Sequence, residues 1–479
     1  MYALHPLGIL FREKKPGSGI NCSVSYRIAF YSFLCDGLTI GFGKLIFLKR
    51  VNQHRGTLSF NFFETITYTR IEMRNSLALT LLLSLLLGTS QAQEKIASKG
   101  EIPILAWYSI PESQITLERF QELKDAGITY SFSGYSSADV VQKALDIAAK
   151  VGVKIVVSCP ELRTDPEKTA KRFVNHPATA GYHLQDEPPL DQLKGLGEWA
   201  RKIQTIDKKH FCYVNLFPNH ADSTQLGTKN YIDYIKEYTK QIPLQFISFD
   251  YYPILKERIS KTWYHNLEQI SEEGKVSGLP FWAFALTTNY DEDHLTPQSL
   301  AAIRLQVYSD LAYGAQGIQY FTYWSATSTN APSGEDQRGA PISATGKRSV
   351  VYDRVTLMSQ EIKALSGVFM GSKVLSVRHS SKGMIPLGTI RLTALPKAIR
   401  VLESNGEPIL VSVLENGPNS FVVIVNKNHL ASINLTVAGD ETLKKVLKDG
   451  TVAPASSYEN ALELDAGDAA IYMFHTEKM

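Results

Sequence analysis

Two adjacent carboxyl side chains end an apolar run in the segment AGYHLQDEPPL, which begins at Ala180. Asp186 and Glu187 are followed directly by Pro188 and Pro189. Proline lacks an amide hydrogen and fixes φ, so this pair ends a strand and permits a helix to begin. Paired carboxyls can supply a proton donor and a base. The segment therefore predicts either an acid/base site or, more simply, an acidic first helical turn that interacts with the helix dipole.

Strands and helices alternate regularly on both sides of this motif. From Glu101 onward, short β-branched or aromatic runs are each followed by a segment of helical period. Eight such pairs fit within residues 100–366, about the length typical of a (β/α)8 barrel, and the strands are apolar on both faces, as buried parallel strands are. An open doubly wound sheet is the main alternative, but the count of eight and the lack of a glycine-rich first turn favour the barrel.

The sequence pattern changes after residue 366. Short strand-like runs are separated by Asn-Gly, Gly-Pro and Asp-Gly turn signals, and no helical segment of comparable strength intervenes. We therefore predict an α/β protein, in which a (β/α)8 TIM barrel at 100–366 is followed by a C-terminal antiparallel β-sandwich domain at 367–479.

A targeting signal lies inside the chain rather than at its start. From Met73, a basic Arg74 precedes an apolar run of about 11 residues, and small and polar residues follow up to Ala92. The run is too short to span a bilayer, which needs about 20 helical residues. We predict a signal peptide at 73–92 with cleavage near Ala92, rather than a buried helix, and hence a secreted or periplasmic protein without a stable membrane anchor. Residues 1–72 are then predicted to be a gene-model extension or disordered.

Composition excludes several classes of partner. The formal net charge is +3, and no run of five or more like charges occurs, so the sequence does not predict a nucleic-acid partner. Cys159 and Cys212, the cysteines that follow the predicted signal peptide, lack metal-ligand spacing. We expect no cofactor and no metal, and the sequence leaves the oligomeric state open.

The predicted C-terminal strand ends, where barrel enzymes place their catalytic groups, carry carboxylates, amides and large aromatics. Aromatic faces stack on sugar rings, and carboxylates and amides bind hydroxyl groups, so we predict an oligo- or polysaccharide substrate. For each aromatic residue, packing in the core is the simpler alternative. The candidates for substrate binding are Trp107, Tyr108, Tyr182, His183, Asn215, Tyr251, Tyr252, Trp282 and Trp324.

The segment GYHLQDEPP resembles the end of the fourth strand in the clan A (β/α)8 glycoside hydrolases, which include the family 42 β-galactosidases. The segment Leu311–Trp324 and the C-terminal β domain are also similar to parts of these enzymes. The resemblance implies an enzyme that cleaves O-glycosidic bonds, and the predicted signal peptide implies that this enzyme is secreted. It assigns Glu187 as general acid/base, with Asp186 where the clan often has asparagine.

One residue of that pattern is missing. The clan's nucleophile is a glutamate at the end of the seventh strand, and PFWAFALTTNY contains none. Asp250 at the end of the sixth strand is the leading partner carboxylate, and Asp291 and Glu292 are the others. A carboxyl separation of about 5–5.5 Å from Glu187 would favour retention and about 6.5–9.5 Å inversion.

Three alternatives remain. The adjacent Asp186–Glu187 pair also resembles substrate-assisted hexosaminidases, in which the sugar's acetamido group attacks and the aspartate orients it. A carbohydrate-binding protein on a catalytically degenerate barrel would bind glycans without turnover. A metal-dependent hydrolase or an aldolase would need histidine ligands or a Schiff-base lysine at the strand ends, and His183 alone is placed in this way.

Overall fold

The computed structural model describes residues 95–255, 258–289, 298–325, 339–458 and 462–475, together with three short strands nearer the amino terminus. Those strands, Leu10–Glu13, Val24–Arg27 and Leu48–Val51, form an antiparallel sheet in chain order. The chain divides into two compact units, Met1–Gln91 and Ala92–Met479. The predicted signal peptide lies outside the described residues. Within the described part of the chain, no helix is long and apolar enough to cross a membrane.

Eight parallel strands form a closed barrel. Each strand pairs with the next one in the chain, and the eighth pairs with the first, which excludes the open sheet and confirms the predicted barrel. The strands are β1 (Ile104–Trp107), β2 (Tyr130–Phe132), β3 (Lys154–Val157), β4 (Thr179–Asp186), β5 (Phe211–Leu216), β6 (Ile247–Phe249), β7 (Phe281–Leu286) and β8 (Gly317–Phe321).

Helices follow the strands, and several begin and end as the sequence predicts. The Asp165 side chain caps one helix by accepting from the Lys168 N–H, and Pro166 is its first residue. Gly152 ends another in the left-handed conformation. The helices are α1 (Leu117–Asp125), α2 (Ala138–Val151), α3 (Pro160–Thr164), α4 (Pro166–Phe173), α5 (Leu193–Ile206), α6 (Ser223–Leu226), α7 (Tyr231–Gln241), α8 (Trp263–Ser277), α9 (Leu300–Ala312), α10 (Val350–Ala364) and α11 (Ser366–Phe369).

The C-terminal part is the predicted antiparallel sandwich. A six-stranded sheet has the order β9-β11-β12-β17-β14-β15, and a three-stranded sheet has the order β10-β13-β16. Because barrel and sandwich belong to one compact unit, their division near residue 366 stays a prediction. The strands are β9 (Lys373–Ser380), β10 (Ile399–Glu403), β11 (Ile409–Asn416), β12 (Asn419–Asn426), β13 (Ile433–Gly439), β14 (Lys444–Val446), β15 (Val452–Pro454), β16 (Leu462–Leu464) and β17 (Ala469–His475).

The six-stranded sheet is buried on both faces. On one face, Val422 and Ile424 pack in a core with Leu435 of the three-stranded sheet. On the other face, Val423 and Val425 join the large core that contains the barrel helices. This explains why β12 reads as a continuous apolar run rather than an alternating one.

A buried ionic cluster joins the barrel helices to the sandwich. On α9, Arg304 forms an ion pair with Glu361 of α10 and lies 3.7 Å from Asp468, which directly precedes β17. The Tyr308 hydroxyl donates to Glu361 at 2.7 Å, and Lys448 pairs with Asp468. Since Glu361 is only 6% exposed, the cluster is enclosed by both parts of the unit.

Glu361→Ala is expected to lower the free energy of unfolding by about 3 kcal/mol, because it leaves Arg304 and Tyr308 buried with an incomplete set of partners. The control is Glu237→Ala, which breaks a surface pair with Lys240 whose side chains are 34% and 73% exposed. That loss should stay below about 1 kcal/mol. Urea unfolding of both variants measures the difference, and equal losses would show that the cluster does not hold the two parts together.

Candidate active site

The backbone at the end of β4 turns two consecutive carboxyls to one site. In a regular strand, neighbouring side chains point to opposite faces. Glu187, the residue after β4, has φ +43°, in the left-handed region that non-glycine residues rarely adopt. Its N–H donates to the Asn215 carbonyl at 2.9 Å, which fixes this turn. As a result, the carboxyls of Asp186 and Glu187 lie close enough to repel each other.

An irregularity in β4 brings a further residue to the inside of the barrel. The register with β5 shifts between His183 and Gln185, so that His183 pairs with Tyr213 and Asp186 with Asn215. Residues three apart would face opposite sides of a regular strand, but the extra residue lets both His183 and Asp186 face inward. The His183 ring accordingly contacts the ring of Tyr213 from inside the barrel.

A third carboxyl completes the cluster. Asp250 directly follows β6, and the Asn215 Nδ2 donates to its Oδ1 at 2.9 Å and to the Asp186 Oδ1 at 3.2 Å. The Tyr252 side chain also hydrogen-bonds to Asp250. The Glu187 carboxyl is in hydrogen-bonding contact with Asp250, so the two can share one proton. Three carboxyls thus converge at the C-terminal end of the barrel, linked by one buried amide.

The environment favours the protonated form of all three carboxyls. Removal from water raises the pKa of Asp186 to about 6, although its side chain reaches solvent and the Asn215 hydrogen bond opposes the rise. Of the three carboxyls, Glu187 has the pKa that is raised the most. Burial is the largest cause, and the charges of Asp250 and Asp186 follow. Burial, followed by the charge of Asp186, raises the pKa of Asp250. Since carboxylates in contact cannot all ionise, Glu187 holds the proton at neutral pH while Asp186 is mostly ionised.

Glu187 and Asp250 lie within hydrogen-bonding reach of each other, and both this bond and the Asp250 charge raise the pKa of Glu187. Retaining and inverting enzymes leave about 5–5.5 Å and about 6.5–9.5 Å between their carboxyls. Hydrogen-bonding reach alone does not assign the pair to either outcome. Asp291 and Glu292 lie outside the described residues. In the described part of the chain, β7 is followed by Thr287, Thr288 and Asn289, without a carboxylate.

Two residues predicted to contact substrate lie away from the carboxyls, because of the strand end in one case and the strand face in the other. Trp282 is the second residue of β7, and its ring stacks on Phe246 with centroids 4.1 Å apart and also contacts Phe211 and Tyr130. This aromatic group fills the N-terminal end of the barrel, opposite to the carboxyls. Tyr182 is fully buried on the helix side of β4, where its hydroxyl donates to Asp207 at 2.6 Å.

Three more residues that were predicted to contact substrate are buried and contact other side chains of the protein. Tyr251 is buried, and its hydroxyl binds those of Ser260 and Thr262 at 2.5 and 2.7 Å, away from the carboxyls. Trp324 is buried with its ring 5.1 Å from the Arg119 guanidinium of α1. Asn215 is 2% exposed, and its amide nitrogen is committed to the carboxyls. The structure therefore places Asn215 as a hydrogen-bond donor to two carboxyls, and a contact of this residue with a sugar stays a prediction.

Trp107 and His183 lie in the barrel interior. Trp107 packs against Phe132, Tyr213 and Phe284 with ring centroids 4.3–5.6 Å apart, and meets His183 edge-on at 5.5 Å. Trp107 is 5% exposed, so the core-packing alternative describes it better than a sugar platform. Burial lowers the pKa of His183 to about 3, so this ring is neutral.

Tyr108 and Tyr252 do reach the carboxyl cluster. Both are half-buried. Burial and the Asp186 charge raise the pKa of Tyr108 to about 12, so its hydroxyl remains a donor beside that carboxylate. Tyr252 stacks on Phe321, the last residue of β8, with centroids 5.3 Å apart. Phe321 was not among the sequence candidates, although it ends a predicted strand. The rings of Tyr108, Tyr252 and Phe321 are all half-buried.

Sequence reasoning also missed three polar residues inside the barrel. Tyr213, Ser248 and Gln319 are at most 1% exposed and hydrogen-bond to one another below Asn215. A serine in ISF and a glutamine in GIQYF, within otherwise apolar strands, were the available signals. Among the described residues, no group of three or more histidine, cysteine, aspartate or glutamate side chains is arranged to hold a metal ion.

No protein-family model matches the sequence, and no curated protein matches it. Solved structures do match. A catalytic mutant of a GH42 β-galactosidase from G. stearothermophilus aligns with 10% identity and a TM-score of 0.51, over 80% of this chain and 100% of that one. A glucosidase from Croceicoccus marinus aligns with 10% identity and a TM-score of 0.44, over 81% of this chain and 98% of that one.

A β-galactosidase from the psychrophilic Marinomonas ef1 aligns with 12% identity and a TM-score of 0.40, over 56% of this chain, and the chain spans 60% of that enzyme's length. At such identities the likeness shows the fold alone. The fold is the (β/α)8 barrel that the eight strand–helix pairs predicted.

Proposed function

We propose that this protein is a glycoside hydrolase in which Glu187 donates a proton to the glycosidic oxygen. The observation that carries the proposal is the contact of Glu187 with Asp250, beside Asp186, at the C-terminal end of the barrel. The group that holds its proton at neutral pH lies next to Asp186, which is mostly ionised, as a general acid requires. The names of the structural neighbours, two β-galactosidases and a glucosidase, support a carbohydrate substrate.

Each carboxyl can have a distinct role in cleavage. Glu187 protonates the leaving oxygen, and positive charge develops on the sugar ring as the bond breaks. Asp186 and Asp250, whose negative charges are held by Asn215, would stabilise that charge. The half-buried rings of Tyr252 and Phe321 offer an apolar wall for the sugar.

The contact between Glu187 and Asp250 favours one route over the others. A nucleophile or base must approach the face of the sugar opposite to the proton donor, whereas Asp250 lies beside Glu187. A substrate-assisted route avoids this conflict, because the acetamido group of an N-acetylhexosamine attacks and an aspartate only orients it. N-acetylhexosaminide hydrolysis is therefore the second candidate, with Asp186 or Asp250 as the orienting group.

A panel of aryl glycosides tests the proposal. It should contain galactosides, glucosides and N-acetylhexosaminides, and be assayed for release of the aryl alcohol at neutral pH. Turnover of one sugar class is the expected result, and selective turnover of N-acetylhexosaminides would identify the substrate-assisted route. Saturable binding of glycans without turnover would instead identify a carbohydrate-binding protein on a degenerate barrel.

Export is also proposed, on the sequence pattern from Met73 to Ala92. After expression in a bacterium, we expect the protein to leave the cytoplasm and its first residue to be Gln93 or a close neighbour. Mass spectrometry of the intact protein measures this, and an Arg74→Glu variant should reduce export. Recovered peptides that precede Met73 would contradict both the export signal and the predicted gene-model extension.

A further inference from the structure

A chain of hydrogen-bonded polar side chains crosses the barrel interior beneath the carboxyls. From β8, the Gln319 Nε2 donates to the Ser248 Oγ of β6 at 2.9 Å. The Ser248 Oγ donates to the Asn215 Oδ1 of β5 at 2.8 Å. The Tyr213 hydroxyl donates to the Gln319 Oε1 at 2.6 Å. All four residues are 0–2% exposed, so bulk water does not compete for these bonds.

The count of protons fixes the direction of every bond in this chain. Ionised carboxylates only accept, so the Asn215 nitrogen must face them and its oxygen must face Ser248. The single proton of Ser248 then goes to that oxygen, and Gln319 must present its nitrogen to Ser248. The Gln319 oxygen takes the proton of Tyr213, although the Tyr213 hydroxyl also lies 2.8 Å from the Ser248 Oγ. One arrangement satisfies the whole chain.

We propose that Ser248 and Gln319 are positioning residues, which hold the Asn215 amide with its nitrogen toward Asp186 and Asp250 and so favour the ionised forms of these two groups beside Glu187. The inference deepens the proposed function, on which its kinetic consequence rests. Neither Ser248 nor Gln319 hydrogen-bonds to a carboxyl, and both act through Asn215.

Loss of the Ser248 hydroxyl would release this orientation. The buried Asn215 oxygen would then have no donor from β6, and an unpaired buried acceptor is costly. Rotation of the amide would turn this oxygen toward Asp186 and Asp250, which can donate to it only when they are protonated, and would remove the N–H donors from both groups. Because hydrogen bonds to the charged form favour ionisation, these carboxyls would then take up protons at higher pH.

Three serine variants test the proposal. Ser248→Ala removes the hydroxyl, and Ser248→Thr keeps it. Ser131→Ala is the matched control, because Ser131 is a fully buried barrel serine of β2 whose hydroxyl has no hydrogen-bond partner among the described residues. The infrared band of protonated carboxyls, followed against pH in the full chain, reports ionisation without any substrate, and Asp186→Asn and Asp250→Asn assign it.

In Ser248→Ala, we expect the midpoint of the aspartate bands to move upward by about one pH unit. Ser248→Thr should restore it, and Ser131→Ala should leave it unchanged. Gln319→Met provides a second variant, expected to shift the midpoint in the same direction, should Ser248→Ala not fold. An unchanged midpoint in the folded Ser248 and Gln319 variants, or an equal shift in Ser131→Ala, would overturn the proposal.

The two proposals fail in different ways. A shifted infrared midpoint in a protein that hydrolyses no glycoside would leave the positioning role standing and remove the hydrolase. Glycoside turnover with unshifted infrared bands would leave the hydrolase standing and remove the positioning role. Where both hold, the acidic limb of the pH–rate profile should move with the infrared midpoint.

Discussion

Glu187→Gln is expected to lower kcat by about 10²–10⁴-fold on glycosides with poor leaving groups. Glutamine keeps the shape of the side chain and a hydrogen bond to Asp250 but cannot transfer a proton. Leaving groups that depart readily as anions, such as dinitrophenolate, need little protonation, so their kcat should fall much less. The ratio between the two substrate types, measured on the sugar that the panel identifies, isolates proton donation from binding.

Glu161→Gln is the control for this experiment. The Glu161 carboxylate follows β3 and accepts from the Ala138 N–H at the start of α2, and no contact links it to the three carboxyls. Its kcat should match that of the unmodified protein on both substrate types. If Glu187→Gln lowers kcat equally for good and poor leaving groups, Glu187 has a role other than general acid.

Most of the fold could be predicted because strand and helix periods repeat eight times. The sandwich was harder to read in detail. Its long strands β11 and β12 stand out as apolar runs, but β14, β15 and β16 contain only three residues each. Such short strands form because neighbours pair with them, so their local sequence contains little signal.

The carboxyl cluster could be predicted because the barrel brings the C-terminal ends of its strands together. The aromatic residues could not be placed in this way, because their position depends on strand face and strand end. Trp282 starts β7 rather than ending it, and Tyr182 faces the helices. The register shift after His183 changes the alternation, and nothing in AGYHLQDEPPL marks that extra residue. The left-handed turn at Glu187 is equally invisible in the sequence.

Asp250→Asn is expected to shift the alkaline limb of the pH–rate profile to lower pH. The charge of Asp250 is one cause of the raised pKa of Glu187, so a neutral asparagine lowers that pKa. Glu187 then loses its proton at lower pH, and the enzyme loses its general acid earlier as the pH rises. A fall in kcat of about 10²-fold should accompany the shift, because Asp250 also stabilises the developing positive charge.

The same variant should be more stable than the unmodified protein at alkaline pH. Glu187 and Asp250 have pKa values raised above those of the unfolded chain, so the folded protein binds more protons than the unfolded one. Their contribution is therefore favourable at acidic pH and is lost as the pH rises through the raised pKa values. Asp250→Asn removes one of these groups and relieves the repulsion on the other.

The expected gain in the free energy of unfolding is about 1–2 kcal/mol at pH 9, allowing for solvent screening of these half-buried groups, and close to zero at pH 5. Urea unfolding at both pH values measures it. Asp353→Asn, at an exposed aspartate of α10, is the control, and its effect on the free energy of unfolding should be the same at pH 9 and at pH 5. A gain at pH 9 together with a loss of turnover would mean that the protein retains an electrostatically unfavourable carboxyl pair for its chemistry. If Asp250→Asn lost stability relative to the unmodified protein between pH 5 and pH 9, this result would contradict a proton shared by Glu187 and Asp250.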